Sequence, residues 1–398
     1  MSQEKILDAQ AVRSVYEKFS IDLPNIGNLQ NVFTPYSLCK DMIGRLKKYK
    51  RKFEGANFSV FNLEFAEVLM YDYGVKANQI WFFTDCVEKS KFAQLNRYAG
   101  LNVELVNLSR FLREKITMKF DVVIMNPPYQ APKAKEHEGR GKCGTSLWED
   151  FVRKSFELAK DDGYVCAIHP NRWRRPEGKI GELIKSKQIH YLEMHGLEDG
   201  RKTFSCQTDY DWYIAQNKKS ETNTQVVDYD GESNSIDLKN APFIPNSNVK
   251  DVLSLVAKEG EEKVNLLWNC EYHTQARAKD GTMSPIQTDE FKYPCVYSVT
   301  IKGEVKFWYS SKKEQFFGIP KVICCNGHTM PIVDKNGEYG LTQFAFGIAD
   351  KKTNLEKIQN VMNSDEFRKT IMGYRDNGGN VYDKNMIATF RKDFWNEI

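Results

Sequence analysis

Apolar positions recur along the first half of the chain in two alternating periods. Residues 4–20 place Ile6, Leu7, Val12, Val15, Tyr16 and Phe19 at helical spacing, which predicts an amphipathic helix. Residues 21–31, with Pro24, Asn25, Gly27 and Asn28, read as a loop. Leu38, Met42, Ile43 and Leu46 predict a second helix. Thr34 is placed to be its N-cap, and Pro35 to take the first helical position, where a missing N–H costs nothing. Short apolar runs then predict strands at 57–61, 80–85, 103–106, 121–125, 164–168, 189–194 and 211–215. Helical patterns at 65–73, 89–98 and 147–158 fall between them. This alternation predicts an α/β fold, a doubly wound Rossmann-like sheet. The close spacing of the last two strands predicts an antiparallel pair at its edge.

The pattern changes near Asn217. Residues 218–224 are polar and linker-like, so the chain divides into a first domain, 1–217, with N-terminal helices in 1–53, and a second, 218–398. In the second, β segments are expected at 225–229, 295–301, 305–309 and 321–325, with a turn at Asn336-Gly337. Helices follow at 354–362 and 364–374. That is a mixed α+β domain. Basic and aromatic residues interleave in it, as Lys302, Lys306, Trp308, Tyr309, Lys312, Lys313, Phe316 and Phe317. This pattern serves phosphates and bases, or simply an amphipathic sheet.

Composition narrows the class. The chain has 398 residues and a net charge of +4, which permits a polyanionic partner without demonstrating one. Its nine cysteines form no Cys-x-x-Cys pair, which disfavours a zinc ribbon and fits reduced thiols in a cytoplasmic protein. No apolar run approaches the roughly 20 residues of a membrane span, and the N-terminus lacks a secretory pattern. No metal and no membrane partner is expected.

The chemistry concentrates at Asp121–Gln130, read Asp-Val-Val-Ile-Met-Asn-Pro-Pro-Tyr-Gln. Two prolines cannot continue a β ladder, so the chain must turn out at the carboxyl end of the strand. In open α/β sheets that edge binds ligands. The Asn126 carbonyl oxygen and the Pro127 backbone carbonyl can both accept from one –NH2, and the Tyr129 ring can stack on a flat molecule. Asp85, at the end of the second strand, is placed either for ribose hydroxyls or to cap a helix. His169 invites a general-base reading, but a turn histidine is more often structural. Residues 131–146 read as a lid or a disordered loop.

Asn126-Pro127-Pro128-Tyr129 resembles the motif of amino-group methyltransferases that use S-adenosylmethionine. The order of segments resembles the DNA adenine-N6 class, in which a target-recognition domain follows the catalytic one. The resemblance implies that Asn126, Pro127, Pro128 and Tyr129 are catalytic and act on a flipped adenine of double-stranded DNA. Thr34, Pro35, Asn62, Glu64, Asp85 and Asn107 would hold the cofactor. Phe204 and Trp173 are candidates to contact the base, and a cognate restriction endonuclease is an implied partner. Two departures stand out. The turn after the first strand, Phe61-Asn62-Leu63-Glu64, has no glycine, although Asn62 is a residue that tolerates a left-handed turn. Arg110 stands where the family has an acid. A catalytically weak or dead DNA-binding homologue, and transfer to cytosine N4, an RNA base or protein glutamine, remain as alternatives.

Overall fold

The computed structural model describes residues 34–94, 98–130, 146–176, 178–269, 271–313, 316–325, 329–374 and 382–396. The helix expected at 4–20 and nearly all of the loop at 131–146 lie outside them. The chain forms two compact units, Met1–Asn240 and Ala241–Ile398.

In the first unit, helix α1 (Tyr36–Tyr49) buries Cys39, Met42, Ile43 and Leu46 on one face. Lys47 and Lys48 in its last turn complement the helix dipole. Its N-cap is Pro35, which makes no side-chain cap bond. The helix therefore starts one residue later than expected, and the Thr34 hydroxyl is used elsewhere. The strands are β1 (Phe58–Val60), β2 (Ile80–Thr84), β3 (Asn102–Leu105), β4 (Phe120–Met125), β5 (Ala159–Pro170), β6 (Lys187–His195), β7 (Tyr210–Lys219), β8 (Thr224–Val227) and β9 (Ser233–Ile236). Between them run α2 (Leu63–Tyr71), α3 (Val87–Phe92), α4 (Leu108–Arg113), α5 (Trp148–Leu158), α6 (Lys179–Ser186) and α7 (Leu197–Phe204).

Among the described residues the sheet order is β3-β2-β1-β4-β5-β7-β6-β8-β9. The strands from β3 to β5 are all parallel. The chain order reverses between β1 and β4, which opens a crevice at their carboxyl ends. Strand β7 runs antiparallel to both β5 and β6 and lies between them. The sheet then continues, because β8 pairs parallel with β6, and β9 forms the outer edge antiparallel to β8. The segment at 225–229 thus extends the first unit's sheet rather than opening the second domain. That unit closes at Asn240, beyond the composition change at 217. The two edge strands alternate exposed and covered positions, so their polarity records an edge.

Side-chain alternation splits β4 between two layers. Val122 and Ile124 join the core beneath α1 and α2, while Val123 and Met125, also buried, point to the other face. At the amino end of β4, Asp121 accepts from the Asn57 backbone N–H and from Lys160, each at 2.9 Å. These bonds tie β4 to its neighbours on both sides; burial works against the charged carboxylate of Asp121, but the Asn57 and Lys160 contacts outweigh it and leave the carboxyl below its usual range.

The second unit holds two four-stranded sheets among its described residues, one around Lys321–Cys325 and Ala345–Ala349, the other around Tyr293–Val299 and Val305–Ser310. The helices Leu355–Asn363 and Asp365–Met372 pack on the first sheet with Phe390 and Phe394. A buried ion pair, Lys321 Nζ to Asp334 Oδ2 at 2.6 Å, lies inside this unit. Lys302, Lys306, Lys312 and Lys313 are exposed, and Trp308, Tyr309, Phe316 and Phe317 are half-buried among them.

Candidate active site

At the crevice between β1 and β4 lies a recess that opens to solvent. Its wall is built from strand ends. Phe61 and Asn62 follow β1, Thr84 and Asp85 close β2, Val106 follows β3, and Asn126 and Pro128 follow β4. Four phenylalanines enclose it. The Phe61 ring lies 5.9 Å from Phe83, 5.7 Å from Phe111 and 5.6 Å from Phe151, and Phe83 lies 5.3 Å from Phe111. Such walls suit a flat ring. Lys89 and Asp85 supply charge beside them.

Asn126 is 3% exposed and fixed from two directions. Its backbone N–H donates to Asn62 Oδ1 at 2.8 Å. Its side-chain Nδ2 donates to Thr34 Oγ1 at 3.1 Å. Its Oδ1 is buried and meets no hydrogen-bond partner among the described residues. Buried polar atoms are almost always paired, so an unpaired acceptor on a residue that lines the recess marks a place for a donor.

Downstream, Pro127 is buried, and the chain past Pro128 is anchored where Leu147 N–H donates to the Tyr129 carbonyl at 3.1 Å. The Tyr129 ring is 8% exposed. Its hydroxyl has no partner among the described residues, and burial, with Cys206, Tyr210 and Asp211 nearby, raises its pKa.

The other expected site residues divide. Asp85 lines the recess and does not cap a helix, since α3 begins after Cys86. Asn62 lines the recess, but at φ −128° it is extended, not left-handed, and its side-chain oxygen serves Asn126. Thr34 is fully buried, so its hydroxyl also serves Asn126. Glu64 is buried in the first turn of α2. Burial raises its pKa, while Lys89 and the backbone N–H groups of Glu64 and Thr34 oppose the rise. Asn107 is the N-cap of α4, with its oxygen accepting from Arg110 N–H and the Ser109 hydroxyl. Arg110 faces solvent in an ion pair with Glu114 at 2.7 Å.

Trp173 corrects its expectation. It is fully enclosed, with its indole N–H on Asp211 Oδ2 at 2.7 Å, so it is a core residue and no surface for a base. Arg174 pairs with the same carboxylate at 2.9 Å. Phe204 ends α7 and packs edge-on against Tyr210 at 4.8 Å, half-buried. His169 is buried, stacked on Trp148 at 4.7 Å, with Nδ1 3.0 Å from the Pro170 carbonyl. Burial pushes its pKa down to about 4, which keeps it neutral near pH 7, and its enclosure against Trp148 gives it a packing role. The aromatic box was the part of the site that sequence reasoning missed. Its signal was an aromatic residue near three successive strand ends: Phe61 just past β1, Phe83 one residue before the end of β2, and Phe111 in α4, which follows β3.

Residues 44–197 match the family described as Eco57I restriction-modification methylase. The match contains β1 to β4 and the Asn126–Tyr129 turn. A Mycoplasma pneumoniae protein described as an uncharacterized adenine-specific methylase is 33% identical over 82 residues. The chain resembles adenine-specific DNA methyltransferases. The aligned stretch is 19% of this chain and 18% of that relative, so the chain spans less than a fifth of the curated relative's length. Among solved structures, a modification subunit of a putative type I restriction enzyme from Vibrio vulnificus is 14% identical. Its TM-score is 0.40, over 55% of this chain and 51% of that one. A putative class I S-adenosylmethionine-dependent methyltransferase from Listeria monocytogenes is 15% identical. Its TM-score is 0.42, over 57% and 75%. The type IIG restriction endonuclease BpuSI is 11% identical, with TM-score 0.44 over 96% and 60%. The first unit has a doubly wound, Rossmann-like sheet with antiparallel strands toward one edge, and among the described residues no helix is long and apolar enough to cross a membrane.

Proposed function

We propose that the protein transfers a methyl group from S-adenosylmethionine to N6 of a flipped adenine in double-stranded DNA. One observation carries this reading. Asn126, which lines the recess at the head of Asn-Pro-Pro-Tyr, holds a buried, unpaired carbonyl oxygen. An exocyclic amino group supplies the donor that this acceptor lacks.

The donor set of the recess fits S-adenosylmethionine. The phenylalanine rings suit its purine, and Asp85 at the end of β2 suits its ribose hydroxyls. Bound there, the cofactor would supply an electrophilic methyl group. The chain's own residues do the rest. Asn126 Oδ1 and the Pro127 carbonyl accept hydrogen bonds from the two N6–H groups. This draws the nitrogen out of the ring plane and frees its lone pair. Once N6 carries the methyl group, its surplus proton leaves to water. Flipping the base costs a few kcal/mol, which Tyr129 offsets by stacking once its ring is uncovered. Catalysis is then orientation and directed dipoles. The second unit, with exposed lysines and half-buried rings, is the target-recognition domain in this reading. A restriction endonuclease is a proposed partner, and the cytoplasm the proposed compartment.

A second reading has one observation in its favour. Asn62 leads straight into α2, with no glycine turn to bring backbone close to the cofactor. A catalytically silent DNA-binding homologue would look like this. Calorimetry separates the two, since absence of heat with S-adenosylmethionine at high concentration supports the silent homologue. The main reading is tested by sequencing DNA from cells that express the protein. Methylated adenines in one sequence context support it, and unmodified adenines beside modified cytosines overturn it.

A further inference from the structure

We propose that Thr34 and Asn62 are positioning residues that lock the Asn126 amide with its oxygen toward the substrate; this rests on the methyltransferase reading above. A buried asparagine amide has two orientations that differ by a half-turn. One presents Oδ1 to an incoming amino group and accepts its hydrogen. The other presents Nδ2, a donor facing a donor, and cannot bind it. The choice is made by what holds the amide from behind.

Here Thr34 Oγ1 takes the Nδ2 hydrogen at 3.1 Å across 92 residues of chain. Asn62 Oδ1 takes the Asn126 backbone N–H at 2.8 Å across 64 residues. Thr34 is fully buried and Asn126 nearly so, which strengthens the bond between them. The effect is to leave Oδ1 alone unpaired. Asn62 stands in the turn where glycine was expected. A glycine there would have no side chain to receive the Asn126 N–H. The turn after β1 has therefore exchanged backbone openness for a grip on the substrate acceptor. Thr34 and Asn62 touch neither reacting atom. They act through Asn126.

The test compares conservative pairs in the full-length protein. Unmethylated bacteriophage DNA is the probe, and transfer is followed in single turnovers at saturating S-adenosylmethionine. Thr34→Val keeps the shape and removes the acceptor, and Thr34→Ser restores it. We expect Thr34→Val to slow transfer by roughly tenfold to a hundredfold, the usual cost of losing a supporting bond to a site residue. Calorimetric affinity for S-adenosylmethionine should stay near that of the wild type, and Thr34→Ser should recover the rate. Asn62→Asp, which keeps the acceptor, against Asn62→Leu, which lacks it, repeats the comparison from the other anchor. If Thr34→Val does not fold, that pair decides. An unchanged rate in both acceptor-free variants overturns the inference while leaving the methyltransferase reading intact. So does a fall in cofactor affinity that matches the fall in rate, because the residues would then be cofactor ligands. A wild-type chain that binds the cofactor but methylates no DNA overturns both.

Discussion

Removing the side chain of Asn126 should cost the fold almost nothing. The amide makes one bond, Nδ2 to Thr34 Oγ1, and holds one buried acceptor unpaired. Asn126→Ala loses that hydrogen bond and leaves the buried Thr34 hydroxyl without it, at roughly 1–3 kcal/mol. It also loses packing worth about 1 kcal/mol. Against this, it removes a stranded acceptor whose burial costs roughly 1–3 kcal/mol. The backbone bond to Asn62 stays. The terms nearly cancel, so stability should change by no more than about 1 kcal/mol, or about 2–4 °C in Tm for a unit of this size. Asn62→Ala is the contrast. It strands the buried Asn126 N–H and should cost roughly 1–3 kcal/mol. Thermal melts and urea titrations of the two variants give the comparison. A loss above about 3 kcal/mol in Asn126→Ala would mean that Oδ1 is already satisfied inside the protein and not free for a substrate. The order of the two variants matters more than either value.

Three further perturbations follow from the packing. His195 lies with Nδ1 2.5 Å from Asp199 and Nε2 3.3 Å from Glu193; burial opposes its charge, but the two carboxylates prevail and raise its pKa above 6.5. Its stabilising contribution is therefore complete below that value and lost as pH rises through the raised pKa. Urea titrations at a series of pH values should show this slope in the wild type and lose it in His195→Gln; equal slopes would refute the assignment. In the second unit, Lys321 Nζ donates to Asp334 and to the carbonyls of Phe316 and Ile319. Lys321→Met should cost roughly 3–5 kcal/mol by leaving a buried carboxylate without its cation, and a loss below about 1 kcal/mol in a urea titration would refute that. A Cβ on Gly200 would lie 1.9 Å from the Thr208 carbonyl oxygen, so Gly200→Ala must push α7 off the turn at 205–209. A melt should show roughly 1–3 kcal/mol lost, and no change would mean that the two segments are not packed together.

The sequence patterns carried most of the first unit. Strands with β-branched, apolar runs, such as 121–125, were readable because parallel strands buried on both faces need such runs. The strand end at Asn126 was readable because two prolines forbid its continuation. Position relative to a strand end also placed Asp85 on the recess. What could not be read was pairing across long separations. Nothing local tells that Asn62 and Thr34 bond Asn126, because a side-chain hydrogen bond over 64 or 92 residues leaves no periodic trace. Trp173 illustrates the converse. Its turn lies at the sheet top, as expected, but a carboxylate on β7, Asp211, draws the indole inward. The domain border was misplaced for a related reason. Polar residues at 218–224 resemble a linker, yet they lead into edge strands, whose exposed side is polar whatever domain they belong to.

The central claim is that Asn126 presents an open acceptor to the amino group of adenine in DNA. Its most direct test incubates the wild type and Asn126→Ala with methyl-labelled S-adenosylmethionine and unmethylated double-stranded DNA, then identifies labelled nucleosides by mass spectrometry after digestion. The account predicts label on N6-methyldeoxyadenosine with the wild type and none with Asn126→Ala. Label on cytosine, or equal label on adenine from both proteins, would contradict it.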